Sequence, residues 1–255
     1  MIFDAAVYLG AWPFRAIEGT VPGLTRTMDD SGIGQAILSP LDGLFHEDPQ
    51  SANQRVLRQI RGRPGLWAAP LINLRITGWQ GRAEDFARLP QVRALRFAPT
   101  FHGYPVEALR EAAHCVAQHG LTAVVQLRLS DERFHPVFLD LPAASLEQVI
   151  ALASETPSAR WVVSAPRLGE ITSLGEQVRQ TRNLWLDTSH VDGLDCMRRA
   201  CDAVGPERLL FSTCWPFFYT RSALLKMEEA GLSAEESRAV MSANAAAAFS
   251  TETAA

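Results

Sequence analysis

The run ERLLFSTCWPFFYTRSA, residues 207–223, sets a thiol and an indole at the end of an apolar stretch. Leu209, Leu210 and Phe211 read as a buried strand that Pro216 stops, so Cys214 and Trp215 fall where such a strand delivers side chains to a reaction site. A cysteine there can fill buried space, become a nucleophile if a base or cationic field forms the thiolate, or bind a metal ion. Of the six histidines, His46, His102, His135 and His190 follow predicted strands, and His102, His135 or His190 could supply that base. His114 and His119 share one helical segment and read as surface or helix-end residues. None of the four loop histidines has the i, i+2 or i, i+4 spacing of a metal-binding pair, so no metal site built from them is expected.

Arginines recur at the same places. Arg15, Arg75 and Arg167 follow predicted strands, whereas Arg96 and Arg128 lie within them. At period two, Arg128 shares a face with Gln126 and Arg96 with Ala98. A guanidinium is not buried without an anionic partner. That partner is either protein, with Asp4, Asp42, Asp131, Glu132, Glu170 and Asp187 near strand ends, or the carboxylate or phosphate of a ligand. The stretch RLSDERFHP concentrates ionisable groups, and Asp131, Glu132, Arg133 and His135 form either a proton-transfer site or a solvated turn. Trp12, Phe14, Phe101, Tyr104, Trp215, Phe217, Phe218 and Tyr219 are expected as an aromatic wall suited to a flat or apolar small molecule.

Positioning these groups falls to eight strand-like runs: IFDAAVYL, QAILSP, WAAPLIN, VRALRFAP, TAVVQLRL, RWVVSAP, LWLDTS and LLFSTC. Most are short, apolar and bounded by turn residues, as strands buried on both faces of a parallel sheet should be. Helical segments alternate with them. PVEALREAAHCVAQHG stops at Gly120, SLEQVIALASE starts at a Ser145 cap, and the C-terminal helical pair breaks at Gly231 with Ser233 as the second cap. The pattern predicts an α/β chain folded as one (β/α)8 TIM barrel over residues 1–255, with an open doubly wound sheet as the runner-up. No glycine-rich phosphate loop follows the first strand, which counts against nucleotide binding.

At 255 residues, 47% hydrophobic and 20% charged, the chain has enough apolar mass for such a core. Its 24 basic and 28 acidic residues are well mixed and give a net charge of -4, which argues against nucleic acid or a polybasic membrane surface as partner. No run approaches the roughly 20 apolar residues of a membrane span, and a cytoplasmic protein with four free thiols is expected. The expected partner is a small molecule, and self-association into a homo-oligomer stays open.

Together the strand ends resemble the amidohydrolase-related family of metal-dependent TIM-barrel hydrolases and decarboxylases. FDAAVYLGAWPF is similar to the family's Asp-x-His-x-His-x-Gly opening, RLLFSTCWP to its eighth-strand motif, and NAAAAF to its Asn-Ala-x-x-x-Phe ending. The resemblance covers nearly the whole chain. It places the first-strand histidines on Ala6 and Tyr8, the fifth-strand histidine near Gln126, the sixth-strand one near Ala165 or Pro166, and the eighth-strand aspartate on Cys214. Alanine and proline cannot bind a divalent ion, and tyrosine and glutamine are poor substitutes for imidazole. No catalytic metal and no other cofactor are therefore expected. An ordinary zinc hydrolase would need a His-x-His that the chain lacks.

What the resemblance then implies is hydrolysis or C–C cleavage such as decarboxylation, driven without a metal. The candidate catalytic residues are Cys214, His102, His135, Asp131 and Asp187. Tyr8, Trp12, Arg96, Gln126, Arg128, His190 and Trp215 are the candidate ligand-binding residues. The alternative is a pseudoenzyme that binds small molecules or regulates a partner. Either way, Tyr8, Gln126 and Cys214 should converge at one end of the barrel.

Overall fold

The computed structural model describes residues 1–129 and 144–251. Asp131 and His135, with the rest of the expected proton-transfer group, lie outside the described residues. The strands in chain order are β1 (Ile2–Trp12), β2 (Ile17–Gly19), β3 (Ile33–Pro40), β4 (Leu66–Ala68), β5 (Leu71–Ile72), β6 (Ala94–Phe97), β7 (Thr122–Gln126), β8 (Arg160–Ser164), β9 (Leu184–Asp187) and β10 (Leu209–Leu210). They form two sheets, β2-β1-β3-β4 and β10-β9-β8-β7-β6-β5.

Backbone hydrogen bonds stitch those sheets into a closed barrel. At one seam Ala5 N–H donates to Phe211 O, Cys214 N–H to Ala6 O and Tyr8 N–H to Trp215 O, at 2.9, 3.1 and 2.9 Å. At the other, Ala68 N–H donates to Gln91 O and Arg96 N–H to Pro70 O, both at 2.8 Å. The interruption between β4 and β5 has a local cause, because Pro70 has no N–H to give a ladder. Counting β4 and β5 as one interrupted strand, and leaving aside β2, the ten described strands make the eight parallel staves of a TIM barrel. All eight sequence runs are found in place.

β2 was not expected. It returns antiparallel along the end of β1, pairing Gly10 with Gly19. Only glycine permits this approach, since a Cβ at Gly19 would stand 2.2 Å from the Tyr8 carbonyl oxygen.

Alternation along the strands divides their side chains cleanly. Leu38, Leu95, Val125, Val163 and Leu186 face outward onto the helices. Phe3, Ala5, Ile37, Ala94, Val124, Val162 and Leu210 fill the lower interior. In β1 the register slips between Asp4 and Val7, a bulge that turns both Ala5 and Ala6 inward and leaves Asp4 facing out. The C-terminal helix Asn244–Ala248 plugs the bottom, with Ala245, Ala248 and Phe249 in the lower interior cluster. Asn244 ties it to the last strand by donating to Pro206 O and Leu209 O at 2.8 and 2.9 Å.

The expected helix boundaries are present. Helix Leu146–Glu155 begins at a Ser145–Gln148 capping box, and helix Ala234–Arg238 at a Ser233–Glu236 box. His114 and His119 are exposed on and just after helix Leu109–Gln118. Among the described residues no helix is long and apolar enough to cross a membrane.

Candidate active site at the barrel mouth

Above the lower apolar layer the inward positions turn polar. Tyr8 from β1, Ser39 from β3, Arg96 from β6, Gln126 from β7, Ser164 from β8, Asp187 from β9 and Ser212 beyond β10 are each at most 1% exposed. Tyr8 Oη donates to Gln126 Oε1 at 2.6 Å, and Arg96 Nη1 donates to Tyr8 Oη at 2.9 Å and also to Gln126 Oε1. Arg96 Nε donates to Ser39 Oγ at 2.7 Å, and the Ser39 hydroxyl in turn donates to Ala69 O at 2.7 Å. Cys214 sits above this layer with Tyr8, Leu41, Leu71, Ala98 and Leu129. Tyr8, Gln126 and Cys214 thus converge as the sequence predicts.

The two interior arginines differ in kind. Arg128 is held by Glu170 through paired bonds of 2.7 and 2.9 Å, and donates to Ala165 O at 2.7 Å. Burial pushes the Glu170 carboxyl up, but the Arg128 hydrogen bonds and charge outweigh it and hold the pKa below the ordinary value. The protein partner that the sequence requires for Arg128 is therefore Glu170. Arg96 is fully buried, and among the described residues it has no carboxylate within ion-pair distance and its Nη2 has no hydrogen-bond partner. Its cation lies 5.1 Å from the Tyr8 ring centroid, a weak compensation for lost hydration.

The buried carboxylates are engaged by the backbone. Asp187 accepts from Ser164 Oγ at 2.5 Å, from Ala165 N–H at 3.1 Å, and from Ser189 N–H and Oγ at 3.0 and 2.6 Å. Asp4 faces the helix layer and accepts from Thr213 N–H at 3.1 Å, Ala6 N–H at 3.2 Å and Thr213 Oγ1 at 2.5 Å. Burial, only partly opposed by those hydrogen bonds, raises Asp4 to about 7.

The thiol and histidine candidates are poorly placed for proton transfer. Burial, with the Asp187 charge adding to it, raises Cys214 well above the ordinary thiol pKa. Its Sγ donates to Leu129 O at 3.7 Å, among apolar neighbours. Burial lowers His102 to about 4; the Gly43 backbone opposes part of this, though neither ring nitrogen has a well-aligned hydrogen bond. Burial also lowers His190 to about 4, against the pull of Asp187, and its Nδ1 is 3.1 Å from Ser189 Oγ. Cys214 and Ala165 both hold left-handed backbone, at φ 54° and 65°, which turns the chain sharply at two strand ends and costs about 1–2 kcal/mol per residue. In native protein a thiol reagent should therefore label half-buried Cys115 first, with Cys196, Cys201 and Cys214 reacting only on unfolding. Mass mapping of alkylated peptides tests this, and rapid native labelling of Cys214 would restore it as a nucleophile.

One expected ligand contact needs correction. Because Cys214 points inward, Trp215 points outward, where it packs on the helix-facing core and would lie 3.4 Å from a Cβ at Gly23. The aromatic wall is narrower than expected. Trp12 meets Phe14, Phe45 and Phe217 edge-on at 5.4, 5.1 and 5.0 Å, and Phe217 stands 6.4 Å from Tyr8. Tyr104 belongs to the outer core and Tyr219 is 88% exposed. Ser39, Ser164, Ser212 and Phe45 were missed. For the serines the signal was available, since each occupies an inward position in a strand whose other inward residues are apolar.

A closed parallel barrel whose polar interior lies at the C-terminal ends of its strands defines a class of fold with one working face. Within that class the chain belongs to the amidohydrolase family, whose model matches residues 28–251. No curated sequence matches it. Among solved structures, 5-carboxyvanillate decarboxylase from Sphingomonas paucimobilis superposes with a TM-score of 0.75 at 13% identity, covering 97% of this chain and 98% of that one. 2,6-Dihydroxybenzoate decarboxylase from Rhizobium gives 0.72 at 14%, covering 98% and 99%. A dihydroxybenzoic acid decarboxylase from Polaromonas, with bound manganese and 2-nitroresorcinol, gives 0.70 at 14%, covering 98% and 97%. At these identities the likeness is one of fold.

Proposed function

We propose that this protein is a metal-independent member of its family that acts on a small molecule bearing a carboxylate or carbonyl oxygen, by hydrolysis or by C–C cleavage of the decarboxylase kind. The observation that carries this reading is Arg96: a fully buried guanidinium with, among the described residues, no carboxylate beside it and one nitrogen without a partner. A buried cation left uncompensated is costly, and a ligand oxyanion reaching Nη2 would relieve that cost. The reaction types come from the family and from the decarboxylases of like fold.

The manganese of the Polaromonas protein asks whether this mouth would hold such an ion. Among the described residues no three His, Cys, Asp or Glu side chains are grouped to hold one. The positions that the family resemblance assigns to ligands carry Ala6, Tyr8, Gln126, Ala165 or Pro166, and Cys214, and the Arg96 cation hydrogen-bonds to Tyr8 and Gln126. These residues do not fit a divalent ion. We infer that the Arg96 charge stands in for the one a metal would supply, polarising a substrate oxygen by fixed hydrogen-bond donors. Tyr8, which burial keeps protonated despite the opposing Arg96 charge, orients that guanidinium together with Gln126 and Ser39.

A second reading is a ligand-binding barrel without chemistry. It is favoured by the histidines, since His102 and His190 are neutral across the physiological range and Cys214 is a buried thiol. Turnover separates the two readings, and binding tests what they share. A calorimetric and thermal-shift screen of small carboxylates should show binding to wild type. Arg96→Met should weaken that binding roughly ten- to a hundredfold, since a charge-assisted contact contributes about 1.5–3 kcal/mol. Equal response of wild type and variant would remove Arg96 from the site.

A further inference from the structure

The buried mouth layer meets an outer cavity at Ser212. That residue is 1% exposed and points into the barrel, its Oγ 3.5 Å from the Ala6 carbonyl oxygen, yet it also lines a cavity of about 240 Å³. Tyr219, 88% exposed, lines the same cavity and marks its solvent side. Phe217 belongs to both spaces. It lines the cavity and packs on the mouth cluster that holds Tyr8 and Cys214. Its ring stands edge-on to Tyr8 at 6.4 Å and to Trp12 at 5.0 Å. The Tyr8 hydroxyl in turn accepts from Arg96 Nη1 at 2.9 Å. Contact therefore runs from the cavity through Phe217 to Tyr8 and Arg96. Phe218 lines the cavity too, but its ring stands edge-on to His190, at 5.1 Å.

The backbone at Phe217 is tied down, since its N–H donates to Cys214 O at 2.9 Å. What can move is the ring, by rotation between staggered χ1 positions. It is half-buried and borders open space, unlike the fully buried Tyr8 behind it. We propose that Phe217 is the gate of the mouth: its ring closes the passage from the cavity to the Tyr8–Arg96 layer, and a ligand enters when that ring turns aside. The route to Arg96 rests on the reading of that residue as the ligand's anchor, whereas the closure by Phe217 does not. Entry is then slowed by the fraction of time the ring stands closed, and removing the ring removes that factor.

Two readouts separate the gate from the anchor. The first needs no ligand. Cys214 lies in the same cluster, three positions before Phe217, and is 1% exposed. Phe217→Ala should speed its alkylation by iodoacetamide, mapped by mass spectrometry, at least tenfold over wild type. Cys196 and Cys201, on the helix Cys196–Val204, should stay protected, which reports that the variant is folded. Should they react as well, Phe217→Leu, which keeps most of the apolar area but not the ring, replaces the alanine variant. Phe218→Ala should leave Cys214 protected. Rapid labelling of Cys214 in wild type, or its continued protection in a folded Phe217 variant, overturns the gate. The second readout is the exchange rate of 4-fluorobenzoate on and off the full chain at pH 7.5, followed by fluorine NMR. It should rise at least tenfold in the same variant. Binding at an unchanged rate overturns the entry route and leaves Arg96 as the anchor. Exposure of Cys214 in a variant that, like wild type, binds no 4-fluorobenzoate upholds the closure by Phe217 and overturns the anchor.

Discussion

At pH 8 the Asp4→Asn variant is expected to be more stable than wild type by up to about 4 kcal/mol, and the advantage should fall to its constant part near pH 4. The magnitude follows from a carboxyl raised from 3.8 to about 7, at 1.36 kcal/mol per pH unit, as an order-of-magnitude ceiling. The sign is that of an acid whose folded pKa exceeds its unfolded one. The folded state binds more proton between about 4 and 7, so stability is lost as pH rises through that window. Asparagine imitates the protonated acid: its oxygen can keep the Thr213 and Ala6 N–H bonds, and its amide can donate to Thr213 Oγ1. His102 and His190 act in the opposite sense. Their folded pKa values of about 4 lie below the ordinary 6.5, so folding excludes a proton from each and their contribution is lost as pH falls through that range. Taken together, the three groups predict a wild-type optimum at about pH 7. Denaturation curves from pH 4 to 8 decide the matter. Parallel profiles for wild type and Asp4→Asn would show that Asp4 is ionised throughout.

Truncating the two interior arginines should have opposite consequences for stability. Arg128→Met leaves Glu170 without its cation and should cost about 2–4 kcal/mol, below the full cost for a buried pair because the Glu170 side chain is 28% exposed. Arg96→Met removes a charge that no carboxylate among the described residues pairs with. Tyr8 still donates to Gln126, and Ser39 keeps Ala69 O, so the polar layer survives with its remaining bonds intact. Its cost should fall within about 1 kcal/mol of zero in the absence of ligand. Anion binding should show the reverse order, with Arg96→Met losing it and Arg128→Met retaining it. An Arg96 variant several kcal/mol less stable than the Arg128 variant would mean that Arg96 is a structural strut rather than a receptor.

Periodicity carried the fold because every barrel strand is buried on both faces and the turns between are marked by glycine, proline and helix caps. It could not foresee β2, a short hairpin set by the close approach of Gly19 to Tyr8. The site was legible where period two alone decides a direction. Arg96 with Ala98, and Arg128 with Gln126, point inward as their spacing requires. Trp215 went astray because its neighbour Cys214 takes the inward position. Which carboxylate would meet which arginine was not legible. Glu170 lies 42 positions from Arg128, on the helix Leu168–Ser173 after the next strand, and only the closed barrel brings them together.

The seam between the first strand and the last has a bearing on how the chain comes to be made. Asp4 and Thr213 are separated by 209 positions, and the backbone bonds beside them span comparable distances. Contacts of such separation form late, because the entropy of closing the loop is lost before they contribute anything. During synthesis β1 must wait, with the hydrogen-bonding edge later taken by the last staff unpaired, until residues 209–215 have left the ribosome. The bulge in β1 and the outward carboxyl of Asp4 interrupt that edge, as edges that avoid pairing with another chain commonly do. The tie that closes the finished barrel would thus also guard the nascent chain against self-association.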